Sequence, residues 1–281
     1  MDIIDAILSN IWVIFLFFSL IYPKFQQNII IRSRANALTS LGKKRGTNVV
    51  TLIHRQETLS LFGLPLARYI DIDDSEELLR IIRLTPDDQP IDLIVHTPGG
   101  IVLAATQIAF ALKAHKGKTT VLVPHYAMSG GTLIALAADE IMMDPHAVLG
   151  PVDPQIGTMK GTYAATSILT VVEKKTMDEI DDETLYLAEE ARKAMSQMED
   201  TVRQLLEGKY DNERVDVIIN DLVSGRYTHD FPITAESVCK LLGQCAQNEL
   251  PAEVYQLMDF YKMGKTRRAG IEYVPLNSPQ G

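Results

Sequence analysis

Two short segments carry residue types that can act on a carbonyl. His96-Thr97-Pro98-Gly99-Gly100 closes one apolar run, and His125-Tyr126-Ala127-Met128-Ser129-Gly130-Gly131-Thr132 closes another. Each is followed by helical spacing, so each reads as a strand-to-helix junction with glycines at the turn. In a parallel sheet, adjacent strand ends of this kind build the binding crevice. Glycine lets backbone approach a ligand closely, and free N–H groups at a helix start stabilise negative charge. Ser129 at such a turn can present its Oγ to a substrate carbonyl. The N–H of Gly130 follows it directly, and a second oxyanion donor would come from Gly99 or Gly100. The other reading of Ser129 is a helix N-cap beside packing glycines.

The remaining polar residues give weaker signals. His96 and His125 end two strands on the crevice side, where either could orient substrate, serve as the base, or simply bond to backbone. His54, His115 and His229 have no partner pattern. No HExxH motif or paired Cys/His spacing is present, so no metal is expected. Asp139-Glu140 is acidic without further pattern, and Asp181-Asp182-Glu183 suits a helix start. Cys239 and Cys245 match no zinc or redox spacing. They are too few for a disulfide framework, so two unpaired thiols in a reducing compartment are expected.

The elements that must hold the two junctions follow from periodicity. VVTLIH, RYIDID, IDLIVH, TTVLVP and EIMMD read as strands, several of the wholly buried kind. DSEELLRIIRL, with Asp74 or Ser75 as N-cap, VLAATQIAFALKAH and GTLIALAA read as helices. Strands alternating with helices indicate βαβ units and a parallel sheet covered on both faces. His146 to Gly157, with Pro151 and Pro154, reads as loop. Beyond Lys160, long helical patterns run over Asp182 to Glu207, Val215 to Leu222, Thr234 to Leu242 and Ala252 to Lys262. The tail from Gly264 has weak periodicity.

The whole chain has 281 residues, 27 basic against 36 acidic, for a net charge of −9. That balance excludes a non-specific nucleic-acid binder, which needs a basic surface. With 46% hydrophobic and 22% charged residues, the chain is neither disordered nor fibrous. Ile3 to Tyr22 is mostly apolar, and Lys24, Arg32, Arg34, Lys43, Lys44 and Arg45 follow it, with only Asp2 and Asp5 near its start. The absence of a basic leader and a small-residue cleavage site favours an uncleaved anchor over a signal peptide. The positive-inside rule then puts the body in the cytoplasm, as a single-pass protein of the cell membrane.

HTPGG, followed by PHYAMSGGTLIALAADEIMMDP and LGPVDPQIG, resembles the serine dehydrogenase proteinase family, which is related to signal peptide peptidase A and the Clp proteolytic subunit. The resemblance covers roughly Val49 to Gln244. It implies a Clp/crotonase-like spiral of βαβ units, a C-terminal helical region and a homo-oligomer. It also implies a serine peptidase site, with Ser129 as nucleophile and Gly99, Gly100 and Gly130 at the oxyanion and substrate-binding position. The Clp subunit's downstream histidine has no counterpart in GPVDPQIG. Signal peptide peptidase A-like enzymes use a lysine ahead of a long helix, which here implies Lys175, then Lys174, then Lys160. A lysine can act as base where a dry site lowers its pKa. His125 and His96 are the alternative bases. The serine dehydrogenase activity in the family's name finds no support: no GxGxxG follows a strand and no cofactor motif is present.

The expected organisation is an anchor over 1–23, a linker or helical spacer over 24–48, a peptidase domain over 49–245 and a C-terminal helix and tail over 246–281. The expected function is a membrane-anchored serine peptidase with a Ser-Lys dyad acting on a peptide or protein, without a cofactor. The competing functions are a crotonase-like acyl-thioester enzyme and a non-catalytic membrane scaffold.

Overall fold

The computed structural model describes residues 15, 22–54, 60–61, 64–65, 69–243, 245–247 and 249–261. Helix α1 (Tyr22–Arg45) leads into β1 (Asn48–Ile53), α2 (Ile72–Leu84), β2 (Ile91–His96), α3 (Val102–Ala114), β3 (Thr119–Val123), β4 (Tyr126–Ala127), α4 (Gly130–Ala137) and β5 (Glu140–Met143). Next come β6 (Val148–Leu149), β7 (Gln155–Thr158), β8 (Gly161–Ala164), α5 (Ala165–Lys174), α6 (Asp182–Leu206) and α7 (Asn212–Leu222). The described chain closes with β9 (Ile233–Thr234), α8 (Ala235–Leu242), β10 (Cys245–Gln247) and α9 (Ala252–Phe260).

The central sheet has the order β1-β2-β3-β5-β10, and every neighbouring pair is parallel. Strands β2 and β3 are buried at every position, as their unbroken apolar runs require. Successive side chains point to opposite faces, so two cores share these strands. Leu93, Val95, Val121 and Val123 pack with Ile108 of α3 and Leu133 of α4. Ile94 and Leu122 pack with Leu41 of α1 and Val254 and Leu257 of α9. The α/β class and two-sided cover are therefore as expected. A second, small sheet of order β9-β6-β4 lies at the strand ends, and β7 and β8 form an antiparallel hairpin.

Several local expectations are corrected. RYIDID is not a strand: Ile70 makes a single bridge to Gly100, and α2 already starts at Ile72. The cap of α2 is Asp71, not Asp74 or Ser75. Asp71 and Asp74 exchange side-chain-to-backbone hydrogen bonds in a capping box, which satisfies two donors at the helix start. The His146 to Gly157 loop contains β6, whose pairing with β4 and β9 holds it down. Helix α5 had no clear sequence signal. Cys239 is disulfide-bonded, so the expectation of unpaired thiols does not hold.

The segment expected as a spacer is a helix docked on the body. Arg34 donates to the Phe260 carbonyl, 2.7 Å from Nη2, and Lys44 pairs with Glu253 at 3.1 Å. Among the described residues no helix is long and apolar enough to cross a membrane. The expected anchor falls on residues 1–14 and 16–21, outside the described residues, as does the tail from Gly264.

Hairpin β7–β8, α5 and the first half of α6 form an arm with its own small core of Ala165, Ile168, Ala188 and Ala191. The second half of α6 returns to the main core through Val202, Leu205 and Leu206.

Candidate active site

The two glycine junctions meet. A Cβ added to Gly99 would lie 2.8 Å from the Ser129 Cβ and 2.9 Å from the Met128 carbonyl oxygen. Gly99 also has φ of 101°, a conformation side chains disfavour. A Cβ on Gly100 would lie 2.2 Å from the Ile70 carbonyl oxygen, so only glycine allows that bridge. Hydrogen bonds lock the contact: Thr97 N–H donates to Tyr126 at 3.2 Å, and Met128 N–H to Thr97 at 2.9 Å.

Ser129 is the only non-glycine residue with positive φ among the described residues, at φ 50° and ψ −114°. Such a conformation costs about 1–3 kcal/mol and persists only where the surroundings impose it. It is the sharp strand-to-helix turn that lifts a nucleophile out of the sheet. The Ser129 side chain does not cap α4, so the helix-cap reading fails. Its hydroxyl instead faces a cavity of about 290 Å³.

Gly100, Ser129, Gly130, Asp153 and His229 line that cavity, and Val102, Leu133 and Met198 give it an apolar wall. The N–H of Gly130 opens helix α4, where no preceding turn supplies an acceptor. Gly99 N–H is already committed to Thr97 Oγ1 at 3.2 Å. Ile70 bonds to the flanking groups, Gly99 O and Ile101 N–H, which leaves the Gly100 N–H as the second donor. Among the described residues, the Gly99 N–H has an acceptor in Thr97 and the Gly100 N–H has none.

Opposite the serine, His229 Nδ1 lies 2.8 Å from Asp153 Oδ1. Gln155 Nε2 donates to the other carboxylate oxygen at 2.7 Å. Asp153 is 2% exposed, and a carboxylate so buried needs these partners. Its loop is pinned by Val152 N–H to Leu222 at 2.9 Å, and by Thr132, whose hydroxyl bridges Ala127 and Gly150 at 2.8 Å each. Thr132 belongs to α4, so the same helix indexes both the nucleophile and the acidic loop.

The other candidates lie elsewhere. Lys174 ends α5 and Lys175 caps it; both are exposed and neither lines the cavity. Lys160 is exposed and pairs with Glu183 at 3.3 Å. His96 and His125 flank Tyr126, with ring centroids 4.2 Å and 5.1 Å from it, and line no part of the cavity. The residues that sequence reading missed are Asp153, His229 and Gln155. One sequence signal points to Asp153: it lies in GPVDPQIG, the stretch that corresponds to the Clp subunit's downstream histidine. Nothing in the spacing linked it to His229, which is 76 residues further on. Among the described residues no cluster could hold a metal ion.

A parallel α/β sheet with a strained serine, two free N–H groups and a carboxylate-bound histidine around one cavity defines a serine-hydrolase type of site. The chain belongs to the ClpP-like SDH-type serine proteinase family, whose pattern matches residues 1–280. An uncharacterized protein of Methanocaldococcus jannaschii is 50% identical over 276 residues, covering 98% of this chain and 95% of that protein. The protein described as probable protease SohB of Haemophilus influenzae is 37% identical over 81 residues, 27% of this chain and 23% of its own. Among solved structures, ClpP1 from Listeria monocytogenes is similar over 80% of this chain and 97% of its own, with 13% identity and a TM-score of 0.42.

Proposed function

We propose that this chain hydrolyses peptide bonds with Ser129 as nucleophile, His229 as general base and Asp153 as the group that orients the histidine. The observation that carries this reading is the Asp153–His229 hydrogen bond inside the cavity that Ser129 faces. Asp153 accepts from Nδ1, which leaves Nε2 as the lone-pair nitrogen able to take the serine proton. The imidazolium that forms is stabilised by the buried carboxylate and then protonates the leaving amine. The N–H groups of Gly100 and Gly130 receive the oxyanion. No hydrogen bond joins Ser129 to His229 among the described residues. Such contacts are often long before substrate arrives and tighten in the Michaelis complex.

The Ser-Lys dyad remains the competing mechanism. The exposed positions of Lys174 and Lys175 on the arm weigh against it within one protomer, since a base lysine has to be desolvated. A fluorophosphonate probe decides the matter. Ser129→Ala should abolish labelling, His229→Ala should nearly do so, and Lys174→Ala and Lys175→Ala should leave it intact. Loss of labelling in either lysine variant with His229→Ala unaffected would restore the dyad.

Anchoring and assembly belong to the same proposal. The apolar stretch over residues 3–22 and the basic residues after it support a single-pass protein with its body in the cytoplasm. Phe25, Ile29 and Ile31 of α1 are exposed, which suits a helix continuing from a bilayer. The arm exposes Met159, Tyr163, Val171 and Tyr186, an apolar surface suited to a neighbouring protomer in a homo-oligomer that acts on protein substrates. Proteolysis from outside intact cells should spare the body, and light scattering should give a multiple of the chain mass.

A further inference from the structure

The proposed triad leaves unexplained a second histidine–carboxylate pair, on the far side of the diglycine. His54 follows β1, is 5% exposed, and bonds through its backbone N–H to the His96 carbonyl at 2.7 Å. Its Nε2 lies 3.2 Å from Asp74 Oδ2, and its Nδ1 lies 2.9 Å from Thr97 Oγ1. Thr97 is fully buried, and its Oγ1 accepts the Gly99 N–H at 3.2 Å.

The neutral imidazole protonated on Nε2 satisfies this chain. Gly99 N–H donates to Thr97 Oγ1, Thr97 O–H donates to His54 Nδ1, and His54 Nε2–H donates to Asp74. The Thr97 hydroxyl also has the Gly99 carbonyl at 3.4 Å, but His54 Nδ1 at 2.9 Å is the nearer acceptor, and the hydrogen bonds then all run in one direction, the arrangement in which neighbours polarise one another. Asp74 Oδ2 also accepts the Asp71 N–H at 3.0 Å. Asp71 directly follows Ile70, which takes the Gly99 carbonyl at 2.7 Å and returns its own carbonyl to Ile101 N–H at 2.8 Å. The one carboxylate therefore fixes the diglycine by two routes: through His54 and Thr97 to Gly99 N–H, and through Asp71 and Ile70 to Gly99 O and Ile101 N–H. Gly100, between them, lines the cavity.

The geometry points to His54, Asp74 and Thr97 as positioning residues for the Gly100 oxyanion donor, an inference that rests on the serine-hydrolase reading of Ser129. An oxyanion donor acts only when held where charge develops, and displacing one by about 1 Å can cost on the order of 100-fold. None of the three needs to touch substrate.

The test measures fluorophosphonate labelling of the full-length protein, resolving the maximal rate from the probe's apparent affinity, beside thermal unfolding of each variant. Thr97→Val keeps the shape and removes the hydroxyl; it should slow the maximal rate roughly 10-fold to 100-fold with apparent affinity unchanged. His54→Ala should do the same. Thr97→Ser and His54→Asn, which keep a group at the Oγ1 and Nδ1 positions, should recover most of the rate. Should Thr97→Val not fold, Asp74→Asn takes its place, because the asparagine Oδ1 can still accept the Asp71 N–H and Asp71 still caps α2, and a several-fold slowing is expected. Folded variants that label at the wild-type rate, or a Thr97→Ser as slow as Thr97→Val, would overturn this inference alone. Wild-type protein that is not labelled at Ser129 would overturn the hydrolase reading and this inference with it.

Discussion

The two walls of the cavity are built in different ways. The Ser129 wall follows two neighbouring parallel strands, β2 and β3, the second by way of the short β4, each leading through glycines into a helix. Its parts are local in sequence, and backbone hydrogen bonds between Thr97, Tyr126 and Met128 hold it rigid. The wall that carries the proposed base is a loop with Asp153 and another with His229, joined by one side-chain pair. Thr132 and the Val152–Leu222 bond pin the acidic loop, while the His229 side chain is 35% exposed. Under the proposed mechanism the donors of the oxyanion hole must be preorganised, and the histidine need only be held by its carboxylate within reach of both serine and leaving group.

This contrast can be broken experimentally. The largest effect should come from the reacting pair: Ser129→Ala and His229→Ala should each lower peptide turnover by on the order of 10⁶-fold, and the double variant by little more, since the two act as a unit. Additive losses measured on a fluorogenic peptide would show that His229 is not the base of Ser129. Asp153→Asn comes next, with a loss of roughly 10⁴-fold, because the amide selects the wrong tautomer of His229.

Stability should divide the other way. Ile94→Ala, in the diglycine strand β2, should lower the unfolding free energy by about 2–5 kcal/mol in denaturant titration. His229→Ala sits on a partly exposed loop but leaves the buried Asp153 with Gln155 as its remaining side-chain partner among the described residues, so it should cost about 1–3 kcal/mol, less than the core truncation. Equal losses would mean that the base loop is part of the structural core.

The smallest effect concerns the far end of the nucleophile helix. Lys209 donates to the Leu136, Ala137 and Ala138 carbonyls at 3.1, 2.5 and 2.7 Å, closing the C-terminus of α4. Burial lowers its pKa to about 8, so the folded state releases this proton before the unfolded chain does. Desolvation of the ammonium therefore penalises folding fully below pH about 8, and the penalty fades as pH rises towards the ordinary lysine value near 10.4. Wild type should gain stability relative to Lys209→Met across that window. A difference that is flat with pH would remove the case for a desolvated ammonium.

Acid acts on the diglycine support. Burial pushes the Asp74 carboxyl up, but bonds from His54 and the Asp71 N–H outweigh it and hold the group below its ordinary value. Its stabilising contribution is present above the unfolded value near 3.9 and is lost as pH falls through the lower folded value. Asp74→Asn should flatten the acid limb of the thermal midpoint against pH.

The sequence by itself determined the parallel sheet, the two junctions and Ser129, because each is a local pattern. Unbroken apolar runs demand burial on both faces, helical spacing follows each run, and glycines mark where backbone must pass closely. It also carried the family resemblance, since HTPGG and HYAMSGGT are contiguous. Tertiary structure alone decided which glycine N–H remains free, because that depends on Thr97 Oγ1 and Ile70 having already claimed the neighbouring groups. It alone brought His229 to Asp153 across 76 residues, which left no periodic or motif trace. Lys174 and Lys175 have a suggestive place in the chain, and within one protomer both are exposed on the arm. Linear position fixes the element a side chain belongs to. Whether it faces a dry cavity or water is set by what packs over it, and that comes from residues far away in the sequence.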